Sequence, residues 1–179
     1  YVEKDATASG AYAASGNPTI GGTFGAGAPV VTIPPIVPSN YRDRANYILR
    51  GNGNVEDSLG NVLATSPPDE FSGWKRSGST WDFSGNTGTN GTYYIEGRAK
   101  ISGNPGSSAD PWRVTIIATG SVEISGNPKI RYNTPGLLIV AGGDLKISGS
   151  PNQSMLGYFL VHEQLELSGN PSLVGAIVI

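Results

Sequence analysis

Apolar and polar positions alternate in short bursts between residues 92 and 171, and the bursts recur. Aligned on Ser-Gly, residues 93–103, 116–126, 139–149 and 159–169 superpose without a gap. Their serines, Ser102, Ser125, Ser148 and Ser168, stand 23, 23 and 20 residues apart. Before each Ser-Gly an apolar pair brackets one charge: Ala99-Lys100-Ile101, Val122-Glu123-Ile124, Leu145-Lys146-Ile147 and Leu165-Glu166-Leu167. Such triplets predict short strands buried on one face. The Ser-Gly-Asn-Pro that follows most of them excludes a helix, because Gly frees φ and Pro removes a donor.

A fixed period of this size implies one supersecondary unit stacked on itself. A 20–23 residue unit is too short for a βαβ crossover. It suits one coil of a β-solenoid, and the fold class expected is an all-β, single-domain parallel β-helix of about five coils. Stacked in parallel register, the outward residues form the column Lys100, Glu123, Lys146, Glu166. Trp81-Asp82-Phe83-Ser84-Gly85 fits the same frame and adds Asp82 beneath Lys100. Each charge then lies about 4.8 Å from an opposite one. Asn104, Asn127 and Asn170, with Ser150 once in place of Asn, should line one corner.

A second strand in each unit is apolar on both faces: 93–95, 116–118, 139–141 and 159–161. One face lines the interior. The other carries Tyr94, Ile117, Val140 and Leu160 and needs a cover, since a bare strip of that size is unusual on a soluble monomer.

The regular coils occupy 92–179. Residues 1–33 read as an outlying coil, on the strength of Ser15-Gly16-Asn17-Pro18. Residues 34–91 read as an insertion: a short α-helix over 39–50, capped by Ser39 and stopped by Gly51, then a long irregular excursion. Tyr41, Ala45, Ile48 and Leu49 would share one helix face and cover part of the apolar strip. Leu59 to Leu63 suggests a hairpin arm, and Phe71, Trp74 and Trp81 suggest anchors. Gly175 to Ile179 reads as the start of another two-faced strand, leaving an open end.

Composition narrows the chemistry. Gly 26, Pro 13 and 15% charged residues describe a turn-dense β protein, and 37% apolar residues argue against disorder. A net charge of −2 gives no reason to expect nucleic acid or an anionic membrane. Without cysteine there is neither disulfide nor thiolate metal site. No apolar run reaches membrane-spanning length, and direct membrane contact is not expected.

No residue emerges as catalytic, metal-ligating or cofactor-binding. His162, the one histidine, falls at a turn and points outward. Asp82, Glu123 and Glu166 are separated by lysines, which suit them poorly to general acid catalysis. Glu56-Asp57 and Asp69-Glu70 show no partner. Asp110 and Asp144 could hold calcium only weakly, and no calcium repeat accompanies them. Thr92 and Thr115 start a column that Leu138 and Tyr158 break. Gly51 to Gly53 and Gly142-Gly143 are turns, and Trp112 beside Arg113 reads as a capping contact. The expectation is no enzyme and no cofactor.

Residues 134–149, with 157–161 and 175–179, resemble the C-terminal β-helical domain of bacterial type IV pilus assembly, minor-pilin-like proteins. The stretch 14–22 and the Pro34-Pro35 segment before a Tyr/Ala-containing stretch carry the same likeness, and a more distant one is to bactofilin-like solenoids. The resemblance implies an exported domain at the bacterial cell surface, extracellular or periplasmic, with no catalytic residues. The function expected is a structural or adhesive module whose partners are other pilus or surface-assembly proteins. The rivals are a scaffold that self-associates end to end, and a β-helix that binds or degrades glycans.

Overall fold

The computed structural model describes residues 6–8, 24–26, 34–67, 69–149 and 155–179. Where the sequence suggests a single domain, the chain divides into two compact units, Tyr1–Pro34 and Pro35–Ile179. In the first, β1 (Ala6–Ala8) and β2 (Phe24–Ala26) pair in parallel. The Ser15 to Pro18 signature lies outside the described residues.

The second unit opens with a 3-10 helix, Pro38–Arg44. Six short strands follow: β3 (Tyr47–Leu49), β4 (Val55–Asp57), β5 (Val62–Ala64), β6 (Glu70–Phe71), β7 (Trp74–Ser77) and β8 (Thr80–Phe83). The repeats then supply β9 (Gly91–Ile95), β10 (Arg98–Ile101), β11 (Trp112–Ala118), β12 (Val122–Ile124), β13 (Ile130–Arg131), β14 (Leu137–Ala141) and β15 (Leu145–Ile147). They end with β16 (Met155–Leu156), β17 (Tyr158–Val161), β18 (Leu165–Leu167), β19 (Leu173–Val174) and β20 (Ile177–Val178).

The architecture is all-β, and its sheets are mixed. One sheet runs β18-β15-β12-β10-β8 in parallel, then adds β7 and β6 antiparallel. A second ladder runs in parallel from β3 through β9, β11, β14 and β17 to β20, with β4 and β5 antiparallel beyond β3. The start of β11 leaves that ladder to pair with β13, which continues to β16 and β19.

The alternation within each triplet sends one set of side chains inward. Ala99, Ile101, Val122, Ile124, Leu145 and Ile147 meet Ile95, Ile116, Ile139 and Phe159 in one buried core. At the β3–β8 side that core is aromatic. Phe83 stacks on Trp112 at 4.5 Å between centroids, and Trp74 meets Phe83 edge-on at 5.5 Å. Tyr93 sits 5.6 Å from Trp74 and 5.0 Å from Tyr47.

The Ser-Gly corners show why glycine recurs. Ser102, Ser125 and Ser148 each donate a backbone hydrogen bond to the preceding repeat, at 2.9, 2.9 and 2.8 Å. The following glycine then lies against the main chain below. A Cβ on Gly126 would fall 2.0 Å from the Gly103 carbonyl oxygen, and one on Gly149 would fall 1.9 Å from that of Gly126. No side chain fits there, whatever the backbone angles.

Two sequence expectations are corrected. The α-helix over 39–50 does not form. A 3-10 helix ends at Arg44, and Tyr47–Leu49 is a strand in parallel register with Tyr93–Ile95. Asn46 fixes the switch, accepting from the Thr92 amide at 2.8 Å through Oδ1 while its own amide donates to Thr92 O at 2.8 Å. Pairing with a ready strand, which suits the β-prone Tyr47 and Ile48, outweighs the local helical preference. Nor is Ser39 the cap, since Val37 holds that place without a side-chain hydrogen bond.

The excursion through 51–91 is likewise not irregular, because antiparallel hairpins organise it. The hairpin arm at Leu59 to Leu63 does form, between β4 and β5.

The covering role assigned to the helix survives its loss. Ile36, Ala45 and Ile48 form a second cluster with Tyr94, Ile117 and Val140, and Tyr41 and Leu160 pack against it. The Arg42 guanidinium sits 5.8 Å from the Tyr94 ring centre. Leu49 alone turns to the main core, as strand alternation requires.

Candidate functional site: a charged file and its groove

The triplets place their outward residues in one file. Asp82 pairs with Lys100, Lys100 with Glu123, Glu123 with Lys146, and Lys146 with Glu166. The file is longer than the repeats suggest, for β7 and β6 bring Lys75 opposite Asp82 and Glu70 opposite Lys75. Seven charges of alternating sign therefore run Glu70, Lys75, Asp82, Lys100, Glu123, Lys146, Glu166.

The signal for this extension was in the chain. Ser72-Gly73 separates two short runs, and both residues have positive φ, 50° and 88°, as a two-residue hairpin demands.

Contacts within the file fall into couples. Lys75 Nζ lies 3.5 Å from Glu70, Lys100 Nζ 3.3 Å from Glu123, and Lys146 Nζ 2.9 Å from Glu166. Asp82 instead accepts a hydrogen bond from Ser102 Oγ at 2.8 Å. The Glu166 carboxylate raises the Lys146 pKa through their hydrogen bond and its charge. These pairs are exposed and individually weak, so their effect falls chiefly on register.

A groove of about 530 Å³ follows the file. Besides the charges it is lined by a second outward column two residues earlier: Thr80, Arg98, Ser121, Asp144 and Gln164. Its walls mix these polar and charged side chains with apolar surface, including Ala99 and Val122, and contain no aromatic ring.

The remaining candidates disperse. His162 is exposed at its turn, its amide bonded to Ala141 O at 3.0 Å. Asp144 lines the groove, whereas Asp110 lines a different depression beside Trp112, so the two calcium candidates are not brought together. Among the described residues no three His, Cys, Asp or Glu side chains gather as metal ligands.

The acidic pairs expected to lack partners have them. Arg50 binds Glu56 at 2.5 Å and Glu96 at 2.7 Å, and it lowers the Glu56 pKa, chiefly by the hydrogen bond. Asp57 accepts from Asn61 Nδ2, the Asn61 amide and the Leu59 amide, each at 2.8 Å, and the Asn61 side chain leads in lowering its pKa. Asp69 pairs with Arg76 at 3.7 Å and Glu70 with Lys75.

Trp112 is no cap but a buried core residue whose Nε1 donates to Thr89 O at 2.9 Å.

Thr92 and Thr115 are buried and built into a polar pin that sequence reasoning missed. Thr115 Oγ1 donates to Leu137 O at 2.7 Å and accepts from the Asn133 and Thr134 amides at 3.1 and 2.9 Å. Thr92 Oγ1 meets Thr134 Oγ1 at 2.8 Å. The expected asparagine corner appears in part: Asn104 Oδ1 accepts from the Asn127 amide at 2.7 Å, while Ser150 lies outside the described residues.

Comparison with protein-family models, with curated proteins and with solved structures finds no match.

Proposed function

We propose that Pro35–Ile179 is a parallel β-solenoid of about five coils, serving as a non-enzymatic structural or adhesive module of an exported, pilus-related assembly at the bacterial cell surface. The observation that carries this reading is the register of Asp82, Lys100, Glu123, Lys146 and Glu166, one outward charge per repeat. Stacked main chains with backbone-on-backbone corners make a stiff face that can present a surface without moving. The carboxylates of the file supply no free general acid or base, because each faces a lysine across the register. Assignment to a pilus-related assembly rests on the resemblance carried by residues 134–149, 157–161 and 175–179.

The groove along the file favours a second reading, a solenoid that binds or degrades a glycan. Light scattering with a glycan array and a uronide-release assay decides between them. Protein that releases no sugar and binds none supports the module. Release of unsaturated or reducing ends, or saturable glycan binding abolished by Arg98→Ala, overturns it.

A further inference from the structure

Opposite signs meet along the file, but elsewhere on the repeats like signs meet. β11 and β13 pair with Trp112 beside Ile130 and Arg113 beside Arg131. Trp112 and Ile130 enter the main core, so alternation turns both arginines outward, and both are exposed. Their backbones stand about one strand spacing apart, ~4.8 Å. Lys129, one position before β13, adds a third positive charge, its Nζ donating to Asn127 O at 3.2 Å. Among the described residues none of the three forms an ion pair. The next strand supplies no anion either, since Arg131 faces Leu156 on β16.

Like charges directly opposite are unfavourable. Every joint of the file avoids that arrangement, and this joint does not. Two neighbouring guanidinium groups without an internal anion suit an external one, because each offers a planar fork of donors to an oxyanion.

A polar depression adjoins them. It measures about 350 Å³, and Asn86, Thr87, Asn90, Ser107 and Asp110 are among its lining. Asn90 Oδ1 accepts the Arg113 amide at 3.0 Å, which joins the depression to the arginines. Amides and hydroxyls match the hydroxyls of a sugar, and Asp110, the one acid in the lining, can accept from them. Trp112 forms part of the wall but is 3% exposed and stacked on Phe83, so it offers no ring to a nucleic-acid base.

Resting on the module reading, and naming a ligand for its adhesive role, we infer that Arg113 and Arg131 bind the anionic groups of an acidic glycan. The neighbouring sugar hydroxyls lie in the depression beside Asn90. The site shares no lining residue with the groove along the file. The like-charged joint weakens the fold and serves the ligand.

The 179-residue chain can be titrated calorimetrically, at low salt, with polygalacturonate, dextran sulfate, neutral dextran and single-stranded DNA. At least one acidic glycan should bind and neutral dextran should not; the stronger of the two acidic glycans tells carboxylate from sulfate. Arg131→Glu restores alternation beside Arg113. It should raise the melting temperature at low salt and weaken acidic-glycan binding by at least about tenfold. Arg113→Ala should also weaken binding, whereas Arg98→Ala should leave it unchanged. No acidic-glycan binding, DNA bound as tightly as either glycan, or binding indifferent to Arg131→Glu overturns the inference. A chain that binds none of these probes leaves the module reading standing, whereas sugar release, or binding abolished by Arg98→Ala, removes that reading.

Discussion

Lys100 stands directly across the ladder from Glu123, Nζ to Oε1 3.3 Å, although 23 residues separate them in the chain. Nothing local holds the two together. Their meeting follows from the repeat length and from apolar neighbours that must face inward on both strands. The pair therefore reports on register.

Reversing one sign tests that register. Lys146→Glu would leave an unbroken run of acids from Glu123 to Glu166 down the file. The melting temperature should fall at low ionic strength and recover part of the way toward the parent value by about 0.5 M salt, where the screening length has shrunk to about the strand spacing. A melting temperature indifferent to both substitution and salt would contradict the stacked file.

The glycine corner makes a stronger demand. In Gly126→Ala the new methyl meets the Gly103 carbonyl oxygen, part of a backbone that cannot swing aside. A loss of about 3 kcal/mol is expected by urea denaturation. Leu59→Ser, at a hairpin tip where Leu59 is 86% exposed, should change stability by less than about 0.5 kcal/mol.

The aromatic cluster should behave as core. Phe83→Ala removes a fully buried ring that contacts Trp74 and Trp112 and should cost about 3–5 kcal/mol. Tryptophan fluorescence should shift to the red in the folded protein as those indoles gain water.

Thr115→Val keeps the shape and removes the hydroxyl. The Asn133 and Thr134 amides and the Leu137 carbonyl then lose a partner, for roughly 1–3 kcal/mol. Hydrogen exchange should accelerate at Asn133 and Thr134 before it does elsewhere.

Acid should act through Glu56. Arg50 holds its folded-state pKa below the ordinary 4.5, so the carboxylate adds stability that is fully present above that value. The contribution fades as pH falls through the lower folded value. Arg50→Met should flatten this part of the stability profile, measured by thermal melts between about pH 2.5 and 5.5.

The repeat was legible because its signals are local: a Ser-Gly corner, two inward apolar residues and one outward charge. Those three fix where β10, β12, β15 and β18 lie and which side chains form the file. The segment 39–50 misled because Tyr41, Ala45 and Ile48 do share one covering surface, a spacing that a helix and a 3-10 turn followed by a strand satisfy alike. Only Thr92, 46 positions from Asn46, separates the two. Lys75 and Glu70 were hidden for a related reason. Their strands join the file antiparallel, through hairpin turns at Ser72-Gly73 and Gly78-Ser79, and so fall outside the repeat.

The carbonyl-on-glycine corners have a consequence for how such a protein can change. Main chain touching main chain sets the thickness of each layer there, leaving side chains little say in it. Substitutions on the flat outer walls can then accumulate with the spacing of their neighbours intact, so one frame is free to carry many different surfaces.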